Sequence, residues 1–133
     1  MSREVGESVE RASLVAEPKA VGEARKLLGD VLCDRGIDRQ RMQDVLLVTS
    51  ELVANAVTHG SCRGDRVELD YQISHHTLSL CVRDAARARA APQVQAPGGE
   101  RSAGRGLAIV SRLARWSERV IDGRREVRAE MDL

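Results

Sequence analysis

Glu51, Asn55 and His59 stand four residues apart within Val48-Thr-Ser-Glu51-Leu-Val-Ala-Asn55-Ala-Val-Thr-His59-Gly60. On a helix that spacing stacks a carboxylate, an amide and an imidazole along one stripe. Val48 and Leu52 lie beside the stripe, with Val45 and Ala56 just beyond, so it borders the apolar face of the helix. Polar groups there need partners, because burying one unpaired costs about 1–3 kcal/mol. The spacing alone is equally compatible with a polar helix edge that repeats every four residues.

Two further groups carry chemistry. Gly104-Arg105-Gly106-Leu107 opens a later helix, where paired glycines let backbone N–H groups approach a phosphate at the positive end of the helix dipole. The segment is not a dinucleotide fingerprint, since Ile109 stands where a third glycine belongs, and there is no Gly-Lys-Ser/Thr of a Walker A loop. Asp84 ends an apolar strand, Leu80-Cys81-Val82-Arg83-Asp84, and its carboxylate suits an exocyclic amine; strand-end aspartates also serve simply as turn formers.

The elements that must position these residues are readable from hydrophobic period. Val9–Glu17 reads as a strand, and Pro18 opens a helix whose apolar positions Val21, Ala24, Leu27, Leu28, Val31 and Leu32 run to a stop at Gly36. Asp38 caps a second helix from Arg39 to His59, stopped by Gly60. Arg66–Ile73 and Thr77–Asp84 alternate as an antiparallel hairpin around Ser74–His76. From Ala85 to Ala103 no period survives, a length that in a compact domain points to a functional lid. Gly104–Trp116 resumes a helix, and Ser117–Asp122 and Arg125–Leu133 close as a hairpin. The expected fold is an α/β (α+β) two-layer sandwich, with helices on one face of a mostly antiparallel mixed sheet, in one domain spanning 1–133 with its core over about 10–133.

Composition narrows the function. Hydrophobic residues are 42% and charged residues 31%, an ordinary globular balance, and the formal net charge of +1 supplies no field for nucleic acid or anionic lipid. Tyr71 and Trp116 are the only aromatics, too few for stacking on single-stranded nucleic acid. Cys33, Cys62 and Cys81 form neither a disulfide framework nor a zinc spacing and read as reduced thiols. No apolar run is long enough to span a bilayer, and Met1–Glu10 is too polar for a signal peptide, so a cytoplasmic location is expected.

The order of these signals, Glu-x3-Asn on a helix, Asp ending a hairpin strand, a long lid, then Gly-x-Gly-Leu opening the next helix, resembles the N, G1 and G2 boxes of the histidine-kinase-like ATPases. Ser50–Gly60 and Gly104–Val110 are similar to the single-domain anti-sigma-factor serine kinases within that superfamily. The resemblance covers roughly residues 10–133 and implies a Bergerat-type ATP-binding fold. It implies that Asn55 holds the Mg²⁺ bridging the ATP phosphates, that Glu51 is the catalytic base, and that Asp84 takes the adenine. Gly104, Arg105, Gly106 and Leu107 would line the phosphates, with His59, Ala86 and Arg101 further nucleotide contacts and 85–103 the ATP lid. The implied function is phosphorylation of Ser or Thr on an anti-anti-sigma antagonist, with a sigma factor as second partner and a homodimer as the assembly. The alternative is an adaptor that sequesters a regulatory partner without kinase activity. Two positions depart from the family: Ala86 stands where Asp-x-Gly is common, and Glu126 aligns with a threonine of the last strand near the adenine.

Overall fold

The computed structural model describes residues 8–86 and 102–133, with the backbone alone over 102–106. Its elements run β1 (Glu10–Val15), α1 (Lys19–Asp34), α2 (Arg39–His59), β2 (Arg66–Ser74), β3 (Thr77–Asp84), α3 (Ser102–Leu113), β4 (Arg115–Ile121) and β5 (Arg124–Asp132). The strands form one sheet in the order β1-β2-β3-β5-β4, and every neighbouring pair is antiparallel.

Local chemistry sets the boundaries. Asp38 Oδ1 accepts the Arg41 N–H at 2.8 Å, satisfying an orphan donor at the start of α2. Gly36, at φ +72°, turns the chain out of α1 in the left-handed region that glycine enters without a Cβ penalty. Asp122 and Gly123, at φ 55° and 77°, form the two-residue turn whose twist matches the β4–β5 hairpin.

Strand alternation then sorts the sheet into two faces. Val67, Leu69 and Ile73 of β2, Leu78, Leu80 and Val82 of β3, and Val127, Ala129 and Met131 of β5 are buried in one core with Leu28 and Leu32 of α1, Val45, Val48, Leu52 and Val53 of α2, and Val110 of α3. The intervening Glu68, Asp70, Arg83 and Glu126 point away from the helices. The helical layer has α2 at its centre, packed between α1 and α3 and against β2 and β3. No helix among the described residues is long and apolar enough to cross a membrane.

The third helix differs from the sequence expectation at both ends. It begins at Ser102, inside the segment read as lid, and stops at Leu113 rather than Trp116. Trp116 belongs to β4, where it pairs with Ala129 and its indole Nε1 donates to Ser111 Oγ at 2.6 Å. Leu107, Val110, Leu113 and Ala114 keep the helical period, but Trp116 satisfies an alternating pattern equally well, and pairing with β5 decides. Of the expected lid, residues 87–101 lie outside the described residues.

Candidate functional site

The stripe on α2 has one member sunk into the core and two at its margin. Asn55 is 8% exposed, and its Oδ1 is buried without a hydrogen-bond partner among the described residues. Glu51 and His59, one turn to either side, are half-buried, and their side chains make no hydrogen bond or ion pair among the described residues. The helix is held beside them: Thr49 Oγ donates to Val45 O at 2.8 Å, and Arg25 of α1 donates to Ser50 Oγ at 2.8 Å.

At the C-terminal end of α2 the chain meets the end of β3. Gly60 closes the helix with φ −110°, not a left-handed turn, so stopping the helix does not explain its lack of a side chain. The reason is Asp84, whose carboxylate occupies the space a Cβ on Gly60 would fill. Asp84 is 1% exposed and is held on both oxygens. Its Oδ1 accepts the Ala86 N–H at 2.8 Å, closing a tight turn in which Ala86 takes φ 56°. Its Oδ2 accepts two bonds from Arg125, from Nε at 3.0 Å and Nη2 at 2.7 Å. The third guanidinium nitrogen, Nη1, reaches Glu118 Oε2 at 3.4 Å. Ala86 therefore adopts a left-handed backbone that glycine enters without a Cβ penalty. Nothing in the sequence pointed to Arg125; it faces Asp84 only because β3 and β5, 41 residues apart, pair in that register.

Glu126 is the point where the sequence expectation fails. Its alignment placed it near the adenine, whereas the structure places it on the sheet face opposite the helices, paired in register with Arg83. Side chains alternate along a strand, so a shift of one residue carries a group to the other face. There Glu126 accepts Arg83 Nε at 2.7 Å and Arg119 Nε at 3.1 Å. Arg83 also donates to Asp70 Oδ2 at 2.9 Å, and Arg11 binds Asp70 through two bonds of 2.7 and 2.9 Å. The hydrogen bond from Arg83 holds the Glu126 carboxyl below the usual range, against burial and with help from Arg119. Burial acts against the charge on Asp70, yet the bonds from Arg11 and Arg83 outweigh it and its carboxyl is lowered too. This network is a structural feature of the outer face.

The remaining expected site residues fall as follows. Gly104 and Gly106 are the third and fifth residues of α3, within its first two turns, and Leu107 is half-buried against the core. The side chain of Arg105 and the whole of Arg101 lie outside the described residues. An open groove of about 440 Å³ lined by Asp65, Arg66, Glu68, Ala85, Gly123 and Arg124 includes none of Glu51, Asn55, His59 or Asp84. No group of three or more His, Cys, Asp and Glu side chains among the described residues is arranged to hold a metal. A cation here would have to take Asn55 together with oxygens of its ligand, which is how Mg²⁺ is commonly held beside phosphates.

Comparison with known proteins places this arrangement in context. A family model described as the histidine kinase-like ATPase domain matches residues 14–129. No curated protein matches the chain in sequence. Among solved structures, the crystal structure of the RsbU and RsbW domains of Rv1364c from Mycobacterium tuberculosis superposes with a TM-score of 0.60 at 20% identity, covering 95% of this chain and 32% of that one. The likeness is one of fold, and the chain spans about a third of the length of that neighbour.

Proposed function

The chain belongs to the histidine kinase-like ATPase family, and on that premise we propose that it is an ATP-binding regulatory protein of the anti-sigma-factor kinase type, transferring phosphate to a Ser or Thr of a protein antagonist. Family membership implies ATP binding. The observation that carries the reading further is Asn55 Oδ1, a buried amide oxygen with no partner among the described residues. Leaving such an acceptor bare costs about 1–3 kcal/mol, so a ligand that fills it is favoured. A hard oxygen donor fits Mg²⁺, and Asn55 is the residue that would hold it. When bound, the ion would supply positive charge at the phosphate oxygens.

The other groups have roles this chain's own geometry supports. Glu51, half-buried and unpaired among the described residues one turn from Asn55, is placed to accept the proton of an incoming hydroxyl. His59 borders the same stripe one turn on, as a nucleotide contact. The first turn of α3, which includes Gly104, has backbone N–H groups without a helical acceptor, and these would face phosphate; Gly106, the fifth residue of the helix, would serve by lacking a side chain. Phosphoryl transfer relies mainly on positioning and on neutralising charge, which these donors provide. The antagonist and a sigma factor are the proposed protein partners, in a homodimeric, cytoplasmic assembly. One observation favours a second reading, a partner-binding adaptor without kinase activity: Asp84, the residue expected to take adenine, is already bonded to Arg125.

Titration of the full chain with ATP, with and without Mg²⁺, tests the reading. Binding at micromolar strength, about −8 kcal/mol, is expected for the wild type with Mg²⁺ and is expected to be lost in Asn55→Ala. Glu51→Gln is expected to keep ATP and lose about 10²–10⁴-fold in phosphate transfer to a Ser-bearing partner. Absence of any heat or thermal shift at millimolar nucleotide would overturn the nucleotide reading. Full transfer by Glu51→Gln would overturn the base assignment.

A further inference from the structure

Asp84 is 1% exposed, although a base can reach it only through an open edge. Three groups abut or bond its carboxylate, and they are of two kinds. Gly60 and the Ala86 N–H are backbone and cannot withdraw without unfolding the end of α2 or the turn. Arg125 is a side chain, 16% exposed, and can.

Resting on the nucleotide reading above, we propose that Arg125 is a specificity-determining residue of the base site: it holds Asp84 when no nucleotide is present, and an adenine amino group gains Asp84 by displacing it towards Glu118. The geometry supplies both ends of that movement. Oδ2 of Asp84 takes two N–H groups from Arg125, which fills its two lone-pair directions, and Oδ1 gives one of its two to Ala86. An exocyclic amine approaching Oδ2 meets a guanidinium, donor against donor. Glu118 already lies 3.4 Å from Nη1, so the displaced cation moves from one carboxylate to another and is never left unpaired. An Arg–carboxylate pair shielded from water is held more firmly than a surface pair, and it resists any ligand that brings no donor of its own to Asp84. The site would thus admit adenine nucleotides at a cost in affinity and exclude ligands that cannot replace the guanidinium.

The test is calorimetric titration of the full chain with Mg-ATP and, separately, with Mg-tripolyphosphate, which has no base. Arg125→Met removes the competing donor and keeps most of the stem; it is expected to tighten Mg-ATP about tenfold with tripolyphosphate unchanged. Glu118→Gln removes the charge that receives the displaced guanidinium and is expected to weaken Mg-ATP several-fold, again without effect on tripolyphosphate. Because Arg125→Met leaves a buried carboxylate alone and can cost folding, the Glu118→Gln result decides by itself when the first variant does not fold. Equal Mg-ATP affinity in wild type and Glu118→Gln overturns the proposal, as does weaker Mg-ATP binding by folded Arg125→Met, which would make Arg125 a donor to the nucleotide. Changes of equal size for Mg-ATP and tripolyphosphate also overturn it, since they mark a loss of structure and not of base contact. No binding of either ligand by any of the three proteins overturns the nucleotide reading itself, an outcome distinct from the others.

Discussion

Gly60 and Asp84 meet so closely that a single Cβ on the glycine would occupy the place of the aspartate carboxylate. The contact joins the C-terminal end of α2 to the end of β3, and so joins the helix that carries Glu51, Asn55 and His59 to the strand that carries the candidate base-binding group. The carboxylate is fixed from three directions, by Gly60 below, by the Ala86 N–H and by Arg125. A position so constrained has two consequences for stability that can be measured separately from ligand binding.

Gly60→Ala should be strongly destabilising. The new methyl cannot be accommodated unless the carboxylate moves, and moving it breaks the bonds to Arg125 and Ala86. A loss of about 2–4 kcal/mol is expected from overpacking and the broken charged hydrogen bonds together. Gly29 is the control, because it lies inside α1 with nothing within 4 Å of an added Cβ. Gly29→Ala should stabilise the chain by about 0.5–1 kcal/mol, the ordinary gain of alanine over glycine in a helix. Denaturant midpoints for the two variants should therefore move in opposite directions, and a shared direction would remove the steric account of Gly60.

Ala86 holds φ 56°, a left-handed conformation that costs a residue with a Cβ about 1–2 kcal/mol. Ala86→Gly relieves that strain but gives the unfolded chain more freedom, worth about 0.4–1 kcal/mol in the other direction. The net expectation is a small gain of about 0.5 kcal/mol. Ala86→Val should instead cost more than about 1 kcal/mol, because a β-branched side chain crowds the same backbone further. Urea denaturation orders the three proteins as Gly above Ala above Val; a valine variant as stable as the wild type would mean that the turn does not hold this conformation.

Most of the architecture was legible because each element obeys one period over enough residues. Val67, Leu69, Tyr71 and Ile73 alternate, and so do Leu78, Leu80 and Val82, so the β2–β3 hairpin followed from local pattern alone. The start of α2 followed from Asp38, whose cap is a contact three residues long. What could not be read is non-local. β3 and β5 pair across 41 residues, and no local feature states whether Asp84 faces Arg125 or Glu126. The sequence expectation put Glu126 near the adenine, whereas its place in β5, in register with Arg83, turns it to the side of the sheet away from the helices. The Asp-Gly turn at 122–123 fixes β5 against β4 but says nothing of its register on β3. Arg83, Asp70 and Arg11 were invisible for the same reason, each being an unremarkable charge until the sheet brings them together.

Glu126→Gln tests that face assignment through pH. On the outer face, Arg83 and Arg119 hold the Glu126 carboxyl below its ordinary value of 4.5. A carboxyl lowered in the folded state favours folding while it is ionised. Its contribution is therefore complete above about pH 4.5 and disappears as pH falls through the lower folded value. Replacing it with glutamine keeps a hydrogen-bond acceptor and removes the charge that Arg83 and Arg119 bond and that Arg128 faces at 3.7 Å. At pH 7 the variant should be less stable by about 1–3 kcal/mol, the usual scale for a charged hydrogen bond in a shielded place. The gap between variant and wild type should then narrow below pH 4.5. Asp70, also lowered, remains in the variant, so some acid sensitivity should persist. Nucleotide affinity at pH 7 should not change, because the sheet separates Glu126 from Asn55 and Asp84. Thermal melts from pH 3 to 7, run beside an ATP titration, check both halves. A change in ATP affinity with no change in the acid limb of stability would return Glu126 to the nucleotide face.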